Sequence, residues 1–279
     1  MSLHLAYDGS INGDWVARYA IGLAARAPER RLRVVHVETG EIPDDRLDEN
    51  LERIADACRP LRIEVRIDRL APRGGVLATL IEAIPPAADT FVVCGVRNRG
   101  GRRGYLAGTV AEGLLGRRRL AVMVVRVVQP GVLGAPRDVL VAVPAPATTL
   151  GASLPFLRLM APQIAHLHVH RGIGIGRSAY RRLTPRRLSR LRSEGRAHAE
   201  GIERTMIETA ALEAARVDTG IRITDDWAAD VIAYASRHKS QLICVEAPVP
   251  RPAGRLFRAD AIERLLADAP CDVALFRGA

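Results

Sequence analysis

Residues 95–109 read Gly95-Val96-Arg97-Asn98-Arg99-Gly100-Gly101-Arg102-Arg103-Gly104-Tyr105-Leu106-Ala107-Gly108-Thr109, between the strand-like run Thr90–Cys94 and an apolar helical pattern starting at Val110. Glycines let a backbone fold tightly and turn its N–H groups toward an anion, and a hydroxyl at a helix start adds a donor beside the unpaired N-terminal amides. The chemistry this pattern suits is phosphate binding. Each charge–dipole contact at such a terminus is worth about 0.3–1 kcal/mol, so the site must collect several. Arg97, Arg99, Arg102 and Arg103 are spaced to supplement them. The turn also follows the carboxyl end of a central strand, where open α/β sheets bind ligands. Two further strand-like runs end in chemistry-bearing residues, the first in Tyr7-Asp8-Gly9-Ser10 and the second in His36-Val37. Taken singly, each has a purely structural use: Asp8 could cap a helix beginning near Asn12–Asp14, and Thr109 could be an ordinary N-cap. Their joint spacing across three strand ends favours a ligand site.

Other constellations carry less. His166, His168 and His170 alternate along one strand and share a face, but they span about 13 Å with no carboxylate in the run, which favours hydrogen-bonded histidines over a metal centre. Gly172-Ile173-Gly174-Ile175-Gly176 lacks the third glycine of a dinucleotide loop and precedes Arg177-Ser178-Ala179-Tyr180, so a flexible connection is expected. Ser10 and Ser153 have no nucleophile-elbow motif, and Cys94 and Cys244 lie in buried-strand contexts. No dedicated catalysis is expected, beyond slow hydrolysis of a cradled phosphate. The four cysteines show no C-x-x-C pair, so reduced thiols are expected.

The charge is distinctive. The chain has 279 residues, 41 basic against 31 acidic, and every basic residue but Lys239 is arginine. A Walker loop or a Schiff-base centre needs a placed lysine, and Lys239 in Arg237-His238-Lys239-Ser240 reads as a solvated loop. Residues 97–119 carry +6 and residues 171–196 carry +8 of a net +10, leaving the remainder at −4. Such fields attract phosphates. For 171–196 the simpler reading is a solvated helix face, beginning near Thr184-Pro185, since only Tyr180 interleaves an aromatic; nucleic-acid binding through it is the rival. The longest apolar run, Leu120–Val125, is far short of the roughly 20 residues that span a bilayer. No targeting segment opens the sequence, so a cytoplasmic location without membrane contact is expected.

The elements that must hold these residues follow from periodicity. With 48% apolar residues the chain can bury a large core. Strand-length apolar runs at 3–7, 32–37, 90–94 and 120–127 alternate with helical stripes, as in an α/β fold with a parallel sheet covered on both faces. Arg62–Ile67 alternates strictly and belongs at a sheet edge. Trp15, Tyr19 and Leu23 mark one helical stripe; Leu47, Leu51, Ile54 and Cys58 mark another. The order recurs with strands at 139–143, 165–169, 220–224, 242–245 and 273–276. Shifting residues 91–126 by 151 overlays Phe91-Val92-Val93-Cys94 on Leu242-Ile243-Cys244-Val245 without gaps, an internal duplication. Gln129–Pro136 reads as the linker, giving domains 1–129 and 137–279. In the second copy Pro144 replaces Asp8, Glu246 replaces Gly95, Val249 replaces Asn98, and Ala259-Asp260 replaces Gly108-Thr109. A like-charged turn there should repel a phosphate, so one such site per chain is expected.

With these residues in view, the sequence resembles the universal stress protein family, whose corresponding turn reads G-x-x-G, nine residues, then G-[S/T]. Gly95, Asn98, Gly108 and Thr109 occupy those four positions; asparagine, which replaces the second glycine, tolerates left-handed backbone angles well. The resemblance covers both halves, as in tandem members. It implies two doubly wound domains, each a five-stranded parallel sheet of order 3-2-1-4-5 flanked by helices. It further implies ATP, or AMP or ADP, with Mg accompanying ATP. Asp8, with Tyr7 beside it, would hold the ribose and the Val37 backbone the adenine. Gly95, Asn98, Gly108, Thr109 and Val110 would surround the phosphates, with Arg97 and Arg99 adjacent. A stress-responsive, nucleotide-dependent interaction switch is implied, with the copies paired as an intramolecular pseudo-dimer and a homodimer as a further assembly. Nucleic acid is not among the expected partners, and the alternative to the switch is a nucleotide-free scaffold.

Overall fold

The computed structural model describes every residue but 88, 97–103, 118, 145–149, 213–214, 248–254 and 279, and every described side chain but those of 177 and 255–259. The chain divides into two compact units, Met1–Ala135 with Leu275–Ala279, and Pro136–Ala274.

In the first unit β1 (Ser2–Tyr7), α1 (Ile11–Ala24), β2 (Arg31–Val37), α2 (Asp44–Cys58), β3 (Glu64–Leu70), α3 (Val76–Ala83), β4 (Thr90–Gly95), α4 (Val110–Leu115) and β5 (Ala121–Arg126) alternate along the chain. The five strands are parallel in the order β3-β2-β1-β4-β5. Leu5, Val34, Val35, Val92, Val93 and Val122 are fully buried, as central strands covered on both faces require. β3 is the edge strand expected from its alternation, and it runs three residues beyond Ile67. Its polar residues are tied down: Arg33 and Arg66 both pair with Asp68.

α2 opens with Asp44 and Asp45, which favour the positive helix terminus, and buries Leu47, Leu51, Ile54 and Cys58, the stripe read from the sequence. α1 keeps Tyr19 and Leu23 of the stripe read from the sequence but not Trp15. Val16, Tyr19, Ala20 and Leu23 are buried, whereas Trp15 is exposed. The segment read as a linker is packed at one point: after a turn at Pro130–Val132, Gly134 has φ +71°, and a Cβ there would lie 2.5 Å from Arg18 backbone.

The second unit contains β6 (Asp138–Pro144), α5 (Leu154–Met160), β7 (His166–Gly174), α6 (Arg177–Tyr180), α7 (Pro185–Ala210), β8 (Arg216–Thr224), α8 (Trp227–Arg237), β9 (Leu242–Glu246) and α9 (Arg255–Asp268), and it ends within β10 (Asp272–Arg277). Here β9, β6, β7 and β8 lie side by side and parallel, repeating the β4-β1-β2-β3 part of the first sheet. A shift of 151 carries β5 onto β10, residue for residue. One expectation fails: Gly172 and Gly174 are not a flexible connection but part of β7, paired with Arg222 and Thr224. The glycine is needed because a Cβ at 172 would lie 2.4 Å from the Trp227 indole.

Candidate functional site

Three carboxyl strand ends meet in adjacent register. Tyr7 is partnered with His36 of β2, and Ala6 with Cys94 of β4, so Asp8, Val37 and Gly95 follow one another across β1, β2 and β4. This brings together three of the positions read from the sequence.

At β1 the Tyr7 side chain is buried and its hydroxyl donates to the Asp14 carboxylate. Burial, reinforced by that bond, pushes the phenol well above its usual range. Its carbonyl lies 2.9 Å from His36 Nδ1; a carbonyl only accepts, which places the proton on that nitrogen. Asp8 is exposed. Its Oδ1 accepts from the Ser10 amide at 3.0 Å and the Ser10 hydroxyl at 2.6 Å, while Ser10 Oγ accepts from the Gly13 amide at 3.0 Å. Ser10 is thus the N-cap of α1, and Asp8 orients it. Gly9 at φ +73° makes the turn possible: a Cβ there would sit 2.5 Å from Ile42 Cδ1.

Beyond β2 a cavity of about 220 Å³ is lined by His36, Glu38, Thr39, Gly40, Ile42, Asp44 and Leu47. Val37 is buried beside it, and the Glu38 amide donates to the Leu70 carbonyl at 2.9 Å. Arg69, near the end of β3, grips the rim, reaching Glu38 at 2.8 Å, Asp48 at 2.7 Å and Asp44 at 2.5 Å. The Glu38 and Asp44 carboxylates among the lining residues are thus engaged by a guanidinium.

After β4, Gly95 is held for packing, since a Cβ would meet Asn12 Nδ2 at 2.9 Å and Val16 Cγ2 at 3.1 Å. Arg97, Asn98 and Arg99 lie outside the described residues. Gly108 has φ +72° with nothing within 4 Å of an added Cβ, so conformation and not space calls for glycine. Thr109 caps α4: its Oγ1 accepts from the Glu112 amide at 3.2 Å and donates to the Leu106 carbonyl at 2.7 Å. The Glu112 carboxylate in turn accepts from the Gly108 amide at 2.8 Å. This is a capping box displaced by one residue. Val110 opens a helix of only six residues. The Arg126 guanidinium lies 5.0 Å over the Tyr105 ring and holds the end of the turn against β5. Glu112, Arg69 and Arg126 were not read from the sequence. The Thr109-x-x-Glu112 spacing was the available signal for the first.

In the second unit Glu246, at the place of Gly95, turns its carboxylate onto the start of α5. Oε1 accepts from the Ala152 amide at 2.8 Å, the Ser153 amide at 3.0 Å and the Ser153 hydroxyl at 3.2 Å. Amides at the first helix of this unit are met by the chain's own anion. Val249 lies outside the described residues.

The alternating histidines are each engaged. His166 Nδ1 is 2.7 Å from Asp138, His170 Nε2 is 2.8 Å from buried Asp230, and His168 packs against His238 with ring centroids 4.5 Å apart. Burial, with His238 next, lowers the His168 pKa. No cluster of metal-ligating side chains occurs among the described residues.

No protein-family model and no curated protein matches the chain. A universal stress protein from Archaeoglobus fulgidus DSM 4304 superposes with a TM-score of 0.64 at 16% identity, over 99% of this chain and 96% of that one. The fold is that of the universal stress proteins. A protein described as one from Pseudomonas aeruginosa UCBPP-PA14 superposes with a TM-score of 0.60 at 13% identity, over 99% and 93% of the two chains. The cytoplasmic domain of a prokaryotic cation chloride cotransporter does so at 0.57 and 10%, over 99% and 94%. At these identities the likeness to universal stress proteins is one of fold. None of the described helices is long and apolar enough to cross a membrane.

Proposed function

We propose that the chain is a tandem universal stress protein of the cytoplasm whose first unit binds an adenine nucleotide, and that binding rather than turnover is its function. The observation that carries this reading is the juxtaposition of Asp8, Val37 and Gly95 at three neighbouring strand ends, with the cavity beyond β2 beside them. The base would enter that cavity beside the Val37 backbone, and the ribose would meet Asp8. The phosphates would reach Gly108, Thr109 and Val110, aided by Arg97, Asn98 and Arg99, with Mg accompanying ATP. A phosphate there competes with the Glu112 carboxylate for the Gly108 amide. Glu246 supports a single site per chain, because it supplies a carboxylate where the second unit would need an anion-free turn.

Mass spectrometry of the purified, denatured protein and equilibrium titration with ATP, ADP and AMP, each with and without Mg, test the reading. Retained or saturably bound nucleotide is expected. No retained nucleotide and no saturation at millimolar concentrations would favour a nucleotide-free scaffold. Two observations speak for that second reading: the occupied Gly108 amide, and a cavity below the roughly 300–1,000 Å³ usual for ligand sites.

A further inference from the structure

α7 is built in two parts. From Gly195 onward it is anchored: Gly195, Ala199, Ile202, Met206 and Ala210 are buried, and a Cβ at 195 would lie 2.8 Å from Ile173 of β7 and 3.1 Å from Ile221 of β8. The preceding turns, from Pro185 to Glu194, contain no buried residue. Leu188 and Leu191 continue the anchoring stripe at helical spacing and are half-buried. At about 100° per residue, Arg186 and Arg190 then point directly away from the protein body, with Arg187 and Arg196 on the flanks. Arg181 and Arg182 are exposed just before the helix.

Among the described residues these charges are largely without an internal counter-charge. Arg190 has Glu194 at 3.7 Å, with both side chains well exposed. Among the described residues, Arg181, Arg182, Arg186, Arg187, Arg192 and Arg196 have no carboxylate within 4.0 Å. Nor do the charges serve the helix. Its first turn holds no acidic residue and its last turn no basic one, while Glu200, Glu203 and Glu208 lie in the C-terminal half. That distribution runs against the macrodipole at both ends. A local rule broken without evident structural gain points to a functional surface.

We propose that this face of α7 binds the phosphate backbone of duplex nucleic acid without regard to sequence. Arg186 to Arg196 spans about 15 Å, along which a duplex presents roughly nine phosphate charges. A rigid helix with outward guanidinium groups fits that density, and arginine pairs with phosphate bidentately. Single-strand binding normally interleaves aromatic side chains, and here only Tyr180 lies nearby. A membrane-surface helix needs an exposed apolar face, and the Leu188–Leu191 stripe is turned to the body. The proposal is independent of the nucleotide site.

Fluorescence anisotropy with duplex DNA and duplex RNA of unrelated sequences, at salt from about 50 to 200 mM, is the test. With about four phosphates neutralised, affinity should fall on the order of a hundredfold across that range, similarly for all sequences. Combining Arg186→Gln, Arg187→Gln, Arg190→Gln and Arg196→Gln should weaken binding at least tenfold and flatten the salt slope. Single Arg190→Gln should act in the same direction if the combined variant folds poorly. The matched combination of Arg31→Gln, Arg59→Gln, Arg66→Gln and Arg73→Gln, exposed residues of the first unit, should leave affinity unchanged. Equal weakening by both combinations would overturn the proposal, as would salt-insensitive binding, tighter binding to single strands, or preference for anionic lipid vesicles or polyglutamate.

Discussion

Glu112 places a negative charge on the amide that a phosphate would need, so the strength of any nucleotide site is set partly by a side chain outside the glycine motif. Glu112→Gln keeps the shape and removes the charge. It should raise ATP affinity several-fold by calorimetry and leave adenosine, which has no phosphate, unaffected. Equal affinities of parent and variant for ATP would place the phosphates elsewhere. His4 is a second residue with a readable consequence. It is buried between Arg33 and Val92, with Nδ1 lacking a hydrogen-bond partner. Burial, then the Arg33 charge, lowers its pKa from the ordinary 6.5 to about 4. The folded state therefore resists protonation. Its contribution is constant above pH 6.5 and is lost as pH falls toward 4, on the order of 2–3 kcal/mol over the full window. His4→Leu should flatten that acid limb in urea melts recorded from pH 7 to 4, and an unchanged slope would assign the acid sensitivity to other groups.

The elements show what is legible locally and what is not. The α2 stripe and the edge character of β3 are readable because each depends on periodicity within about fifteen residues. The boundary of β3 is not, since Arg69 is fixed by Glu38, Asp44 and Asp48 from another connection. Gly172–Gly176 looks like a loop in sequence, yet Trp227 lies over Gly172 and the strand runs on to Gly174. The candidate site divides in the same way. The register of Asp8, Val37 and Gly95 follows from three strand ends, whereas the grip of Arg126 on Tyr105 depends on side-chain placement that spacing does not encode. Glu246 meets the start of α5 across 94 residues, and only the internal shift hinted at its position. Because that carboxylate accepts several hydrogen bonds, Glu246→Ala should lower the stability of the second unit by about 1.5–3 kcal/mol in chemical denaturation, with Glu246→Gln recovering part of the loss. Gly9→Ala should be as damaging in the first unit, since it combines positive φ with a 2.5 Å approach to Ile42.

At the scale of the whole chain, two units with separate cores share a fold, and the proposed binding functions divide between them. Ligand that binds only the folded first unit should stabilise it by about 2.7 kcal/mol at a hundred times its Kd. The cysteines make this measurable. Cys58 and Cys94 belong to the first unit, Cys244 and Cys271 to the second, and all four are buried. Burial pushes the Cys94 thiol up to about 12 and raises that of Cys244 as well, so reagent must wait for the backbone to open. Each half thus carries its own stopwatch: mass-resolved alkylation in saturating nucleotide should slow about a hundredfold at Cys58 and Cys94 and keep its pace at Cys244 and Cys271. Equal slowing at all four would mean that the halves open together, and one untreated sample would report the cooperativity of the entire chain.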